Sequence, residues 1–166
     1  MESVSLRQAI KNVGGRKFFP SNFTELYLYA GINSIEKYIE QNMTKSQKCG
    51  IITGKNGIIM ASAVMGKPAY LGIPYSDIVK IYYIGGADKE IDHTDNIAKA
   101  ATGAFFLGPT GLLAGVLNEA LNSNRILCCI QTKTDSIIVG TFDYMKPKLD
   151  KFFIKICPSV FNPDIF

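Results

Sequence analysis

The chain has no tryptophan, a single histidine and no run of five like charges. Each absence removes something. With His93 alone, a histidine-rich metal site is excluded, and any Ser–His or Cys–His pair would have to recruit that one residue from another element. The four cysteines, Cys49, Cys128, Cys129 and Cys157, show no CxxC spacing, so a zinc site is not expected. Cys128 and Cys129 are neighbours and would face opposite ways on a strand; reduced, buried thiols of a cytoplasmic protein are the simplest reading. Without a block of like charge there is no nucleic-acid arm, and nucleic acid is not an expected partner. Residues 1–20 lack an apolar core of seven or more, so no secretory signal is read there. Residues 103–110 carry a superficial phosphate-loop spacing, but Pro109 stands where the lysine is needed and removes a backbone donor. No cofactor is expected, and no catalytic set is visible.

What is present describes one globular domain. A chain of 166 residues that is 47% hydrophobic and 19% charged can bury roughly 70% of its extended-chain surface. Its net charge of +4 is spread along the chain, a weak pull toward acidic partners or anionic lipid. Residues 6–13 read as a short helix closed by Gly14-Gly15. Residues 22–31 predict a second helix, with Asn22 and Glu25 as a capping box. Phe23, Leu26, Tyr27 and Ala30 then lie on one face, and Gly31 is the stop. Together these form a helical appendage over 1–34, ahead of a main domain over 35–166.

Strand signals follow. Residues 35–43 read as a strand, with a helix as the alternative. Residues 49–53 and 58–64 flank Gly54-Lys55-Asn56-Gly57, expected to be a hairpin turn with positive φ at glycine or asparagine. Residues 70–73 and 78–84 are strands around Pro74-Tyr75-Ser76-Asp77, and 85–95 is a polar loop. Residues 125–132 and 137–142 form another hairpin. Leu149, Phe152, Phe153 and Ile156 then make a helical stripe, with Pro147 in its first turn and Pro158 beyond its end. The class is α+β: antiparallel hairpins closed by an amphipathic helix.

That order resembles the bacterial pleckstrin-homology-like family over about residues 35–156. Ile51-Ile52-Thr53-Gly54-Lys55-Asn56-Gly57-Ile58-Ile59 is similar to its strand–turn–strand, with Gly57 where a basic residue is usual. Ile73-Pro74-Tyr75-Ser76-Asp77-Ile78-Val79-Lys80-Ile81 is similar to the next strand, turn and strand, and 137–156 to the last strand and capping helix. The resemblance implies a bent sheet or partial barrel with a C-terminal helix, serving as a scaffold that binds lipid headgroups, peptides or proteins.

The most unusual feature is residues 100–117, eighteen positions without a charge, in which Ala100, Ala104 and Gly108, then Gly111 and Gly115, recur at small-xxx-small spacing. Gly108-Pro109 would break a helix there, so a glycine-rich helical hairpin insertion over about 95–123 is expected in place of a membrane span. It can fold on its own domain, meet a partner or enter lipid. Asp92-His93-Thr94-Asp95 before it reads as helix initiation. The candidate interaction residues are Phe105, Phe106, Leu107, Gly108, Gly111, Leu112, Leu113 and Gly115. Lys146, Lys148, Lys151 and Lys155 are a candidate contact for an anionic surface, although a solvated helix face explains them too. Tyr70, Tyr75, Tyr82 and Tyr83 with Lys67 and Lys80 could form an aromatic–basic surface, on which only one of Tyr82 and Tyr83 can face outward.

The expected function is therefore non-catalytic binding of another protein or of a second copy, using the sheet edge and residues 100–123. The alternatives are peripheral membrane attachment through the apolar insertion and the basic helix face, and sequestering of a small ligand.

Overall fold

A computed structural model of the chain describes residues 1–32, 46–64, 67–85 and 124–165. Two α-helices and eight strands form there, in the order α1 (Leu6–Asn12), β1 (Asn22–Ala30), β2 (Gln47–Thr53), β3 (Gly57–Val64), β4 (Lys67–Pro74), β5 (Ile78–Gly85), β6 (Arg125–Thr132), β7 (Ser136–Phe142), α2 (Lys146–Ile156) and β8 (Phe161–Ile165). Short 3-10 turns at Tyr75–Asp77 and Asp143–Met145 precede β5 and α2. The strands join one sheet in the order β4-β3-β2-β1-β7-β6-β5-β8. Every pairing is antiparallel except β5 with β8, so the sheet is mixed.

This corrects the expected fold class. Strand makes up 54% of the described residues, and two short helices are all the α-structure among them. The expected pleckstrin-homology-like antiparallel sheet is not matched: among the described residues the sheet is mixed and eight-stranded, and residues expected as an N-terminal helix form one of its strands. The expected hairpin insertion over 95–123 lies outside the described residues, as do residues 35–43.

The helix expected over 22–31 is strand β1, and its place is between β2 and β7 in the interior of the sheet. The error has a definite physical source. Phe23 opposes Ile51 and Leu26 opposes Cys49, so three steps on β1 match two on β2. That extra residue is a β-bulge. It resets the inside–outside alternation, so that Phe23 and Leu26, three apart, both enter the core and imitate helical spacing. The carbonyl of Glu25 within the bulge accepts a 2.7 Å hydrogen bond from Oγ1 of the buried Thr141 on β7. Gly31 does not cap a helix. Its φ of +106° turns the chain beside β7, where a Cβ would lie 2.6 Å from Ile137 Cα.

The turn at Gly54–Gly57 forms where expected but without positive φ, which among the described residues occurs at Gly14, Gly15, Gly31 and Asn124. Its glycines answer to space. A Cβ on Gly54 would stand 2.2 Å from Val13 Cγ2, and one on Gly57 2.3 Å from the Ile73 carbonyl oxygen. Gly57 is crowded by β4, and Gly54 by Val13 at the end of helix α1. That helix lies across β3 and β4, with Ala9 and Val13 packed on Ile59, and Gly72 passes so close beneath it that a Cβ would meet the Ala9 carbonyl oxygen at 2.4 Å.

The inner face of the sheet carries the main core. Leu28, Ile51, Ile58, Met60, Ile81, Cys128, Ile130 and Val139 meet Leu149, Phe152 and Phe153 of α2 there. The helix is fixed by a polar clasp as well. Tyr83 Oη donates to Asp150 Oδ1 at 2.5 Å, and Lys146 Nζ bonds the other oxygen of Asp150 at 3.0 Å. Cys128 belongs to this core and Cys129 to the opposite face, as their adjacency on a strand requires.

Candidate functional site

Of the residues singled out in the sequence, Phe105, Phe106, Leu107, Gly108, Gly111, Leu112, Leu113 and Gly115 lie outside the described residues, and so does His93. The four lysines of the last helix are not equivalent. Lys146 is tied to Asp150 and sits 4.6 Å from the Tyr83 ring centroid. Lys148, Lys151 and Lys155 are exposed on the outer side of α2, next to the half-exposed Ile154.

The expected tyrosine–lysine surface is divided by the fold. Tyr83 is buried in the main core, Tyr70 packs against α1, and Tyr75 is partly buried against the main core. Of these, Lys80 and Tyr82 come together, with the ammonium 5.1 Å from the ring centroid. Burial raises the pKa of both Tyr82 and Tyr83, and for Tyr83 the hydrogen bond to Asp150 adds to the shift. Both remain neutral phenols near pH 7.

What the structure adds is an aromatic group on the face of the sheet opposite α2, across β1, β7, β6 and β5. Tyr29, Ala30, Ile84, Leu127, Cys129 and Ile138 form its buried floor, and none of them comes from a helix. Along one side of that floor the Arg125 guanidinium lies 3.7 Å from the Tyr27 ring centroid and 5.3 Å from that of Phe142. Arg125 also donates to Tyr29 Oη at 3.0 Å. Tyr27 meets Phe142 edge to face at 5.7 Å, and Phe142 stacks on Tyr144 at 5.6 Å with an interplanar angle of 13°. Tyr144 is 75% exposed, the outermost ring of this ladder. Strand pairing builds it: Arg125 is the direct partner of Phe142 across β6 and β7. Once Asn22–Ala30 is read as a helix, the placement of Tyr27 and Tyr29 on one face of the sheet is lost, and Arg125 is only the first residue of a strand.

Nucleophilic chemistry finds little support here. All four thiols are buried, and burial pushes Cys49 up to about 12 and Cys157 up to about 11, while Cys128 and Cys129 are raised by the same cause. Thiolates are the nucleophiles, and these sites disfavour them. Among the described residues no three His, Cys, Asp or Glu side chains group to hold a metal ion. A pocket of about 160 Å³ lies between Gly72, Pro74, Asp77, Thr132, Lys133 and Met1. It is smaller than the roughly 300–1,000 Å³ typical of ligand sites. Among the described residues no helix is long and apolar enough to cross a membrane.

The two sheet edges, expected as docking strands, are both blunted. Val4 bridges to Tyr70 along the free side of β4, its N–H donating to the Tyr70 carbonyl at 2.8 Å. The opposite edge, β8, contains Pro163, which has no N–H to offer an added strand. In comparisons with known proteins, no family model matches this chain and no curated protein matches it.

Proposed function

We propose that the chain is a non-catalytic binding module that associates with a second copy of itself through the aromatic rim that ends at Tyr144. The observation that carries this reading is the Tyr27–Arg125–Phe142–Tyr144 ladder, ending in a ring that is 75% exposed yet held in place by stacking. Tyrosine, phenylalanine and arginine are the residue types enriched at protein interfaces, and tyrosine and arginine dominate their energetics. A two-fold dimer needs only one self-complementary patch. Aromatic faces and a guanidinium supply complementarity within a single patch, since a ring of one copy can cover the cation or ring of the other. The blunted edges direct association to this rim and away from strand addition.

Light scattering on a sizing column tests the reading with the native chain, Tyr144→Ala and Tyr144→Glu. The native chain is expected as a dimer. Removing an exposed hot-spot ring should weaken association by about tenfold or more without altering the thermal melt, and the added carboxylate should abolish it. A native chain that stays monomeric at every concentration tried, or variants that remain dimeric, would sink the proposal.

A further inference from the structure

The loop between α1 and β1 presents two phenylalanines to solvent. Phe18 is 89% exposed and Phe19 80%, the two most exposed large apolar side chains among the described residues, and their rings meet edge to face at 4.7 Å. They touch each other and not the core. Scattered single apolar residues on a surface need no explanation, but an adjacent pair at the tip of one loop does.

The base of that loop is fixed on both sides. Arg16 bridges to Gly54, and the Lys55 N–H donates to the Gly15 carbonyl at 3.1 Å. The Asn56 N–H reaches the Val13 carbonyl at 2.8 Å. On the other side the Ser21 N–H donates to Thr53 Oγ1 at 2.8 Å, and the Thr53 N–H returns to the Ser21 carbonyl at 2.9 Å. Four residues, Lys17-Phe18-Phe19-Pro20, therefore stand off a braced support formed by Arg16, Ser21 and the β2–β3 turn. Holding the pair out in water is unfavourable unless something receives it.

The charge around the pair says what. Between Ser3 and Thr24 the chain has four basic residues, Arg7, Lys11, Arg16 and Lys17, and no acidic one. Lys55 joins them from the bracing turn, its side chain 3.7 Å from the position a Cβ would take on Gly15. Lys11, Arg16, Lys17 and Lys55 are all exposed. A convex tip with two phenyl rings above a cationic collar suits an interface that is apolar inside and anionic at its surface. An acidic protein groove would need a concave match for two perpendicular rings, whereas a fluid bilayer accommodates them in any orientation.

We infer that residues 16–20 form a membrane-contacting tip, in which Phe18 and Phe19 enter the headgroup–acyl boundary of an anionic bilayer while Arg16, Lys17 and Lys55 meet lipid phosphates. This surface is distinct from the aromatic rim of the sheet and does not depend on self-association. Interfacial binding of this kind combines buried apolar area with attraction to anionic lipid. Each basic residue near such a surface is worth roughly a fivefold change in partitioning, and each buried phenylalanine roughly tenfold or more.

The test is flotation of the whole chain with vesicles of phosphatidylcholine alone and of phosphatidylcholine with phosphatidylserine. The native chain is expected to float with the serine-containing vesicles and to lose most of that binding in high salt. The double variant Phe18→Ala/Phe19→Ala and the double variant Arg16→Ala/Lys17→Ala should each lower partitioning by roughly tenfold or more, with unchanged thermal melts because these side chains support no core. The chain has no tryptophan, so Phe18→Trp supplies a sole reporter. Its emission should shift to the blue on vesicle addition and be quenched by brominated acyl chains. Absence of flotation would overturn the inference. So would flotation that survives the phenylalanine double variant, which would move the lipid contact elsewhere, or tryptophan emission at position 18 that ignores the vesicles.

Discussion

Gly72 shows how a single atom is constrained here. It sits on β4 under α1, with ordinary strand conformation, and the only reason for glycine is the 2.4 Å that would separate a Cβ from the Ala9 carbonyl oxygen. Gly72→Ala should therefore push α1 off the sheet and cost about 1–3 kcal/mol, read as a lower urea midpoint at unchanged slope. A midpoint equal to that of the native chain would show that α1 is not packed so closely. The buried thiols set a second expectation. Their folded pKa values lie above the ordinary value of 9.0, at about 12 for Cys49 and about 11 for Cys157. Below pH 9 both states hold these protons and the contribution to stability is complete. Above it the unfolded chain releases protons that the folded chain keeps, so stability falls as pH rises through the folded values. Thermal melts taken from pH 8 to pH 11 should drop over the upper part of that range. Thiol reagents at pH 7 should label the native protein only as it unfolds.

At the scale of elements, much of the sheet was legible in the sequence and one strand was not. The hairpins around Gly54–Gly57 and Lys133–Asp135 follow from alternating β-branched residues, and α2 follows from Leu149, Phe152, Phe153 and Ile156. Strand β1 was hidden by its bulge, because Phe23 and Leu26 reach the same face at a helical interval. The same bulge conceals the aromatic rim, since Tyr27 and Tyr29 share one face of the sheet only on a strand. The short β8 escaped notice because Pro163 argues locally against a strand, while a parallel partner in β5, some eighty residues away, decides the matter. The bulge carries its own prediction. Thr141→Val removes the hydroxyl that satisfies the Glu25 carbonyl and should cost about 1–3 kcal/mol, the usual cost of a buried unsatisfied polar group. Thr141→Ser, which keeps the donor, should lose clearly less; equal losses in the two variants would mean the hydrogen bond is not what holds the bulge.

For the whole molecule, one mixed sheet supports two surfaces with different chemistry. Val4 and Pro163 occupy its edges, and the aromatic rim at Tyr144 and the braced loop at Phe18 and Phe19 are the two proposed docking surfaces. A module that dimerises through the first carries two copies of the second, and a geometry that lets both reach one surface would strengthen a weak contact by avidity. The rim is the central claim, and cross-linking tests it most directly. All four native thiols are buried and disfavour the thiolate, so an exposed cysteine introduced on the surface becomes the reactive one. Under mild oxidation Asn124→Cys, an exposed position beside Arg125 whose carbonyl accepts from the Asp143 N–H at 3.1 Å, should give a disulfide-linked dimer far faster than Ser76→Cys, which places an exposed thiol away from the rim; both variants keep the Tyr144 ring. Equal rates for the two, or no dimer from Asn124→Cys, would contradict the account.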